Sequence, residues 1–597
     1  MKGSFLHAAI GMLGCLIVLA GCGKETIIPQ EPGGDSGNTG TDTKKVTALA
    51  INPDKATLKV GETLQLEAVV TPKEAAGTTL EWKSLAPSYA KVDDKGLVTA
   101  LQEGTAQIRV FTAGMKVYAH CTLTIEKAEN PNPDPNPNPD PDPNPNPDPD
   151  PVTWRTWEDT GADLPVHPTY GTVTDVAYFP RVDITWSSPS QRIAEGEYTW
   201  VEGTVRFRDP KGMYCDEKDS GVLNMRIRGR GNTTWDAEGG IKRPYKIKLT
   251  EHRKVFGMKG DKDWILLADV QDPTLLRNAV ALRIARMVSM PWTPKYRAVE
   301  VYYNGSYGGC YLLVEAKEVD RENKIPITVV QPGETDGGYL LEIDNKGDYD
   351  RYFRTDTFQK KIKFKDPDFG DRNNPDNSAD AQAQMQYIMN YVNEVESLLK
   401  ARSFDPVTGY QSKVDLETFI GNYIVHELTM NVDGGMRLST YFAKDKDTKL
   451  FMPMVWDFDL SLGNCSYIGR DFNLGYDGPE GWFIKIRGGS FEYGDTDGSK
   501  KSYYQYMFED PLFVAALKER WNKVKPRLDN IPAFIDKMVE YNTVAYDHNV
   551  KGGKNPRANR GYYYPPDNFK SWSEAVDYMK DFYTRRLAWL DTAINAL

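Results

Sequence analysis

The 597-residue sequence is poor in the residues from which many metal and redox sites are built. It contains six histidines and six cysteines, and neither type recurs at the short spacings of zinc ligands. Basic residues are also in the minority. The sequence has 73 Lys and Arg against 84 Asp and Glu, which gives a formal net charge of −11. The composition therefore argues against a histidine-based metal centre and predicts no nucleic-acid partner.

Long apolar segments are scarce as well. One apolar run, from Ala8 to Ala20, follows the positive charge of Lys2 and is too short to span a bilayer. It ends in Leu19-Ala20-Gly21-Cys22, which resembles the bacterial lipobox. The resemblance implies a signal peptide over residues 1–21 and a lipid on Cys22, and an ordinary signal peptide with a coincidental cysteine is the alternative.

Because no later segment is apolar enough to cross a membrane, we expect a lipid-anchored protein of the cell envelope, outside the cytoplasm. The outer membrane or the cell surface is the expected location. A disulfide is permitted there, but the sequence leaves open which of the remaining cysteines pair. These are Cys121, Cys215, Cys310 and Cys465.

The N-terminal part of the chain predicts a small module between two spacers. Residues 22–44 are a flexible tether rich in Gly, Ser, Thr and Asp, and residues 128–152 alternate Pro with Asn or Asp, which favours a stiff polyproline II linker. Between them, residues 45–127 contain short alternating strands with frequent turn signals, the rhythm of an all-β sandwich. Val60-Gly61-Glu62-Thr63 and Gly96-Leu97-Val98-Thr99-Ala100 resemble bacterial Ig-like (Big) domains. The resemblance implies a spacer or weak adhesin that contacts glycan or another cell-surface component.

Residues 153–597 predict one large α+β domain, strand-rich first and helical later. Apolar alternation predicts strands near 223–228 and 245–249, and a hairpin turning at Asn304-Gly305. Helical periodicity predicts a helix over 273–288 and further helices near 379–402, 416–430, 512–526 and 574–594. Asp415 is the expected N-cap of the helix at 416–430.

Two acidic motifs carry the strongest chemical signal. Val432-Asp433 and Val455-Trp456-Asp457-Phe458-Asp459 each place an aspartate directly after a predicted core element, with a strand, a turn and a second strand between them. That layout brings two carboxylates to one cleft, and phosphoryl transfer to a hydroxyl needs such a pair. A turn-forming role for each aspartate is the alternative.

A glycine-rich loop and a lysine-bearing strand add weaker signals. In Arg228-Gly229-Arg230-Gly231-Asn232 the glycines let backbone amides approach phosphate, although the motif alone favours a tight strand-to-loop corner. Lys246 and Lys248 lie on one face of the next strand, where they either hold phosphate oxygens or form an ordinary solvated face.

Together with Leu275-Leu276-Arg277-Asn278, Glu300 to Gly305, and Gly337 to Glu342, these blocks resemble the CotH family of spore-coat-type atypical protein kinases. The resemblance covers about residues 175–470. It implies a kinase-like two-lobed fold, ATP and magnesium as cofactors, and transfer of the γ-phosphoryl group to Ser or Thr of an acceptor protein.

The resemblance also implies roles for individual residues. Asp433 is then the catalytic residue, and Asp457, Asp459 and Ser439 hold the metal. Lys248 is the first choice for the phosphate-contacting lysine and Lys246 the second. The remaining nucleotide-binding residues are Arg228, Gly229, Gly231 and Asn232.

Two departures from the kinase pattern leave alternatives open. Position 438 is Leu where typical kinases have a metal-binding Asn, so the hydroxyl of Ser439 or Thr440 has to substitute. The helix predicted at 273–288 has no Glu to pair with the lysine, which leaves Glu315 or Glu342 as partner. The alternative function is a catalytically degenerate surface protein that binds glycan or protein, or acts as an assembly scaffold.

Overall fold

The computed structural model describes residues 46–75, 77–84, 86, 89–112, 117–126, 173–186, 199–231, 233–236, 240–320, 324–344, 350–371, 374–464, 478–486, 503–554, 569 and 571–597. The predicted signal peptide, Cys22, the proline-rich linker, Asn232 and Cys465 lie outside these residues. The chain divides into two units, Met1–Pro145 and Asn146–Leu597.

The first unit is all-β, as predicted. Its strands are β1 (Ala48–Asn52), β2 (Lys55–Lys59), β3 (Thr63–Gln65), β4 (Glu67–Thr71), β5 (Leu80–Ser84), β6 (Ala90–Val92), β7 (Leu97–Ala100), β8 (Gly104–Thr112) and β9 (Tyr118–Glu126). They form sheets of order β1-β4, β2-β9-β8-β5 and β3-β7-β6. Alternate residues of β8 and β9, among them Ile108 and Leu123, are fully buried between the sheets. Period-two burial of this kind is what the alternating sequence dictates.

The second unit begins with a closed barrel, because its amphipathic strands bury their apolar faces against one another. The strands are β10 (Arg181–Trp186), β11 (Val201–Arg208), β12 (Leu223–Gly229), β13 (Tyr245–Val255), β14 (Met258–Leu267), β15 (Tyr296–Tyr303) and β16 (Ser306–Glu315). They close in the order β10-β11-β12-β13-β14-β16-β15, with β10 parallel to β15. The hairpin turn at Asn304-Gly305 is confirmed. Ile247, Trp264 and Leu313 fill the interior.

A second sheet follows, with β17 (Tyr339–Ile343), β18 (Tyr352–Arg354), β19 (Lys361–Asp366) and β20 (Thr440–Lys444) in the order β18-β19-β17-β20. The sequence predicts a second strand after β20. In the structure this is an isolated bridge between Ala443 and Phe451, because the chain turns into the core directly afterwards.

The helices are α1 (Thr233–Asp236), α2 (Arg277–Met287), α3 (Ala379–Lys400), α4 (Leu416–Thr429), α5 (Tyr503–Met507), α6 (Pro511–Leu528), α7 (Ile531–Lys551) and α8 (Trp572–Asn595). The four C-terminal helical predictions agree with α3, α4, α6 and α8. Asp415 caps α4 as predicted, since its side chain accepts a hydrogen bond from the Thr418 N–H. The strand-rich region followed by helices confirms the α+β class.

Helices α2 and α4 lie at the centre of the larger core, and all but one of the α2 residues are buried. Helix α7 packs on the barrel, where the Asn549 side-chain oxygen accepts a hydrogen bond from the Cys310 N–H at 2.9 Å. Cys121, Cys215 and Cys310 are free thiols. Within the described part of the chain, no helix has both the length and the apolar character required to cross a membrane.

Candidate functional site

Asp433 lies on a loop that begins where α4 ends. Met430 terminates the helix in the left-handed region at φ 46°, and the next residues turn back into the core. The Asn431 side-chain oxygen accepts a hydrogen bond from the Asp433 N–H at 3.1 Å. The Asp433 carboxylate binds Arg437 four residues later, with 2.8 Å between Oδ1 and Nη1. The local backbone thus fixes Asp433 at the edge of the core, with its side chain only 21% exposed.

Asp457 sits on a strained backbone that its neighbours hold in place. Its φ is 71°, a left-handed conformation that costs about 1–3 kcal/mol for a residue with a Cβ. The Asn431 side-chain amide donates to the Asp457 carbonyl at 2.9 Å, and the Phe458 N–H donates to the Asn278 side-chain oxygen at 3.0 Å. Asn431 therefore binds the backbone of both predicted site aspartates and fixes one segment against the other.

The carboxylates of the two motifs influence one another electrostatically. Burial raises the pKa of Asp459 well above its usual range, and the charges of Asp457 and Asp433 raise it further. Ser439 donates its hydroxyl to Asp457 Oδ2 at 3.1 Å. Carboxylate and hydroxyl oxygens are the ligands that Mg²⁺ prefers, so the donor set of Asp457, Asp459 and Ser439 fits such an ion.

Buried polar groups on α2 and in the loop before it form hydrogen bonds with the segment that carries Asp457. The Asn278 side-chain amide donates a hydrogen bond to Asp269 Oδ1 at 2.8 Å, and its side-chain oxygen accepts one from the Phe458 N–H. Burial, followed by the charge of Asp272, raises the pKa of Asp269 to about 7. The charge of Asp272 is neutralised by the fully buried Arg277, whose Nη1 lies 2.5 Å from Asp272 Oδ1. Any shift of α2 would consequently be transmitted to the backbone of Asp457.

Lys317 lies against Trp456, the residue before Asp457, and belongs to a group of charged side chains. Lys317 Nζ is 3.9 Å from Glu342 Oε1, donates a hydrogen bond to the Tyr441 hydroxyl, and lies 4.7 Å from the centroid of the Trp456 ring. Burial lowers the pKa of Lys317 to about 8, although the charges of Glu342 and Asp457 act in the other direction. Burial acts to raise the pKa of Glu342. The charges of Lys317 and Lys365 have a larger, opposite effect and lower that pKa to about 2.

The structure places Lys246 and Lys248 against a different acidic group. Their ammonium nitrogens lie 2.7 Å and 3.2 Å from the two oxygens of Asp263. Asp263, Asp261 and Glu318 bring their carboxylate oxygens within 4.8 Å of one another, and Lys324 binds both Asp261 and Glu318. Three lysines thus compensate this acidic group, and contact of Lys246 or Lys248 with phosphate stays a prediction.

Of the two glutamates expected to pair with the phosphate-contacting lysine, only one contacts a lysine near Asp457. Glu342 is the carboxylate between Lys317 and Lys365, with the latter nitrogen 3.4 Å from Oε2. Glu315 instead accepts a hydrogen bond from the Lys295 N–H at 2.8 Å. The lysine–glutamate pair beside Asp457 is therefore formed by Lys317 and Glu342.

The glycine-rich corner is built for close packing. Gly229 ends β12 opposite Tyr245, and Gly231 has a φ of 82°. A Cβ on Gly231 would lie 2.5 Å from the Thr234 hydroxyl, so glycine is required there. The guanidinium carbon of Arg228 lies 4.7 Å from the centroid of the Trp200 ring. Asn232 is outside the described residues, and binding of nucleotide by this loop stays a prediction.

Sequence reasoning missed three residues that organise the site. Lys317 follows the last residue of β16 by two positions and carried no motif. Asn431 precedes Asp433 by two positions, and Asn278 belongs to a block used only for family resemblance. An asparagine within an apolar segment near an acidic motif is the signal that could have identified both, because a buried amide must find partners.

Comparison with known proteins gives short matches to curated relatives. An uncharacterized protein of Clostridium acetobutylicum is 34% identical over 90 residues, which are 15% of this chain and 9% of that protein. A 3-O-α-D-galactosyl-α-L-arabinofuranosidase of Bifidobacterium longum subsp. longum is 48% identical over 54 residues, 9% of this chain and 5% of the relative. The chain spans less than a tenth of the length of these relatives.

Solved structures match weakly. A GH10 xylanase from termite gut that contains a bacterial Ig-like domain is 27% identical, with a TM-score of 0.10, over 12% of this chain and 18% of the xylanase chain. Domains 4 and 5 of the S-layer protein SbsC are 14% identical, with a TM-score of 0.12, over 36% of this chain and 97% of theirs.

Family comparisons cover far more of the sequence. Residues 45–117 match the bacterial Ig-like domain (group 2), which confirms the predicted Ig-like module. Residues 226–590, more than half of the chain, match the CotH kinase protein family, in agreement with the resemblance carried by the sequence blocks. The chain therefore belongs to the CotH kinase protein family.

Proposed function

We propose that this protein is a magnesium-dependent protein kinase that transfers the γ-phosphoryl group of ATP to Ser or Thr of an acceptor protein. The observation that carries the proposal is the position of Asn431, which fixes the Asp433 and Asp457 backbones beside the Lys317–Glu342 pair. Phosphoryl transfer requires little beyond positioning and charge neutralisation, and these groups supply both.

The roles of the residues follow from their chemistry. Asp457, Asp459 and Ser439 would hold Mg²⁺, which when bound neutralises phosphate charge. Lys317 supplies a cation beside Trp456, held in position by Glu342 and Tyr441. Asp433 orients the acceptor hydroxyl and accepts its proton, while Arg437 limits the rotation of the carboxylate.

A second candidate function is binding or scaffolding without catalysis. It is favoured by one contact, the ion pair between Asp433 and Arg437, because a carboxylate engaged by a guanidinium is a weaker proton acceptor. In that case the cleft recognises glycan or protein at the cell surface.

We also propose that the chain is anchored outside the cytoplasm through a lipid on Cys22, with its acceptor protein in the cell envelope. The tether and the proline-rich linker then act as spacers, and the Ig-like module contacts glycan or a surface component.

The direct test is magnesium-dependent transfer of labelled γ-phosphate to a generic acceptor such as casein, with the wild type, Asp433→Asn and Asp457→Asn. Asp457→Asn should lose both transfer and stabilisation by Mg–ATP. Asp433→Asn should keep nucleotide binding while transfer falls by about 100-fold or more. Asp536→Asn, an exposed aspartate paired with Lys580, serves as the control for loss of one charge.

Lys317→Met and Lys248→Met, compared in the same assay, identify the lysine that contacts phosphate. Loss of nucleotide affinity only in Lys317→Met supports the proposed role of Lys317. A wild-type protein that shows neither transfer nor stabilisation by Mg–ATP would favour the second candidate function.

A further inference from the structure

Residues 479–485, which come after the second acidic motif, form a segment whose backbone is bound to the end of α4. We call it the anchored segment. The fully buried Glu427, in the last turn of α4, accepts hydrogen bonds from two of its backbone amides. The Phe483 N–H donates to Oε1 at 2.6 Å, and the Lys485 N–H donates to Oε2 at 2.9 Å. One carboxylate thereby satisfies two backbone donors that would be costly to bury without an acceptor.

Arg586 on α8 holds the beginning of the same segment. Its guanidinium pairs with the Glu427 carboxylate, and neither side chain is exposed to solvent. Nη1 donates to the Pro479 carbonyl at 2.8 Å and also to the Gly481 carbonyl. A buried ion pair with these additional hydrogen bonds resists separation, because loss of one partner leaves a buried charge uncompensated. The backbone of the anchored segment is therefore fixed against both α4 and α8.

The fixed backbone places Ile484 against the loop that carries Asp433. Ile484 lies between the two amides that bind Glu427, and only 1% of it is exposed. A Cβ on Gly435, two residues after Asp433, would lie 2.4 Å from Ile484 Cδ1 and 3.1 Å from its Cγ2. The isoleucine therefore packs directly on the backbone of that loop.

The Asp433 loop, residues 433–438, is packed at two successive glycines. The Leu438 N–H donates to the Asp433 carbonyl at 2.8 Å, which closes the loop. A Cβ on Gly434 would lie 2.0 Å from Nδ1 of His426, so this glycine packs on α4 while the next one packs on the anchored segment. Because protein interiors are close-packed, a change at either contact shifts the loop and the carboxylate that it carries.

We propose that Ile484 is a positioning residue for phosphoryl transfer, which acts through Gly435 to hold the Asp433 carboxylate where an acceptor hydroxyl reaches it. This inference rests on the proposed kinase function and adds a residue that has no chemistry of its own. Glu427 and Arg586 hold Ile484 in place. A misplacement of about 1 Å at a reacting group lowers a rate by about 100-fold, so the contact is important without touching the substrate. Metal and nucleotide binding are assigned to other residues and do not involve it.

The test measures transfer by the full-length protein. In Ile484→Ala, kcat should fall about tenfold or more, while the KM for the acceptor and the Kd for Mg–ATP stay within about twofold of the wild type. Ile484→Leu conserves the volume of the side chain and should recover most of kcat. Ile388→Ala, a fully buried isoleucine on α3, should lower the thermal midpoint to a similar extent and preserve kcat. A wild-type kcat in Ile484→Ala would overturn the proposal.

A double-mutant cycle tests whether the effect passes through Gly435. Gly435→Ala alone places a methyl group against Ile484, whereas in Ile484→Ala that methyl group has room. The strain of alanine at a φ of 67° is common to both backgrounds, so the comparison isolates the contact. The fold-loss in kcat caused by Gly435→Ala should be at least about fivefold smaller in the Ile484→Ala background. Two losses that simply multiply would contradict the proposed contact.

Hydrogen exchange of the full-length protein separates this proposal from the kinase function. Ile484→Ala should accelerate exchange of the Leu438 amide, whose hydrogen bond closes the Asp433 loop, by about tenfold, and Ile388→Ala should leave it unchanged. Faster exchange in a protein whose wild type transfers no phosphate would support the contact and reject the kinase function. Unchanged exchange in a protein whose wild type does transfer phosphate would reject the positioning role and leave the kinase function standing.

Discussion

The lysine beside Asp457 predicts an unusual pH dependence of nucleotide binding. Burial lowers the pKa of Lys317 from 10.5 to about 8, so in the free protein its charge is lost within an accessible range of pH. In the proposed kinase, the charged ammonium of Lys317 binds the triphosphate of ATP, which is fully ionised in this range of pH. The Kd for Mg–ATP should therefore rise as the pH increases through about 8.

The magnitude follows from linkage between proton and nucleotide binding. If only the protonated lysine binds, the observed Kd increases about tenfold between about pH 7 and about pH 9. A lysine with the ordinary pKa of 10.5 would produce almost no change over the same interval.

Isothermal calorimetry or a thermal-shift titration of Mg–ATP at several pH values measures this dependence. Lys317→Arg keeps the charge at every pH and should give a flat profile with weaker binding at neutral pH. Lys248→Arg is the matched control and should retain the wild-type profile. A wild-type Kd that is constant between about pH 7 and about pH 9 would refute the role given to Lys317.

Three further predictions concern stability. Glu342→Gln should destabilise the fold by about 3 kcal/mol at neutral pH, because the folded carboxylate has a pKa of about 2 instead of the usual 4.5. This stabilisation is complete above about pH 4.5 and is lost as the pH falls towards about 2, so urea midpoints of the variant and the wild type should converge in acid. Arg586→Met should cost about 3–5 kcal/mol, since it removes the buried cation that neutralises the fully buried Glu427. The adjacent Arg585→Met removes an exposed pair with Glu480 and should cost less than about 1 kcal/mol, and equal losses in both would contradict the burial argument. Gly434→Ala places a Cβ 2.0 Å from His426 Nδ1 and should cost about 1–3 kcal/mol and impair transfer, whereas Gly77→Ala, with open space around it, should be neutral in thermal unfolding.

Local patterns predicted the elements that carry the site. Helix α4 and its cap at Asp415, the hairpin at Asn304-Gly305, and the α+β order all follow from periodicity, capping and turn chemistry, which act over a few residues. The acidic motifs were identified for the same reason, since an aspartate at the end of an apolar run is visible in the sequence alone.

The identity of the lysine required more than the sequence. Lys246 and Lys248 have the alternation expected of a functional strand, yet their nearest acidic partner is Asp263 on β14. Lys317 follows β16 without any local signal, and it meets Glu342 and Tyr441 only because the second sheet packs beside that strand end. Pairings between residues so far apart in the chain depend on packing, and no local pattern encodes them.

The sequence by itself determined the division into an Ig-like module and a CotH domain, the class of the fold, and the presence of an acidic pair, because composition and periodicity are properties of neighbouring residues. Only the tertiary structure decided which cations face that pair. It also assigned Asn278 and Asn431 to the backbones of the two acidic motifs. The physical reason is that buried polar groups must find hydrogen-bond partners, and those partners are fixed only when distant segments pack together.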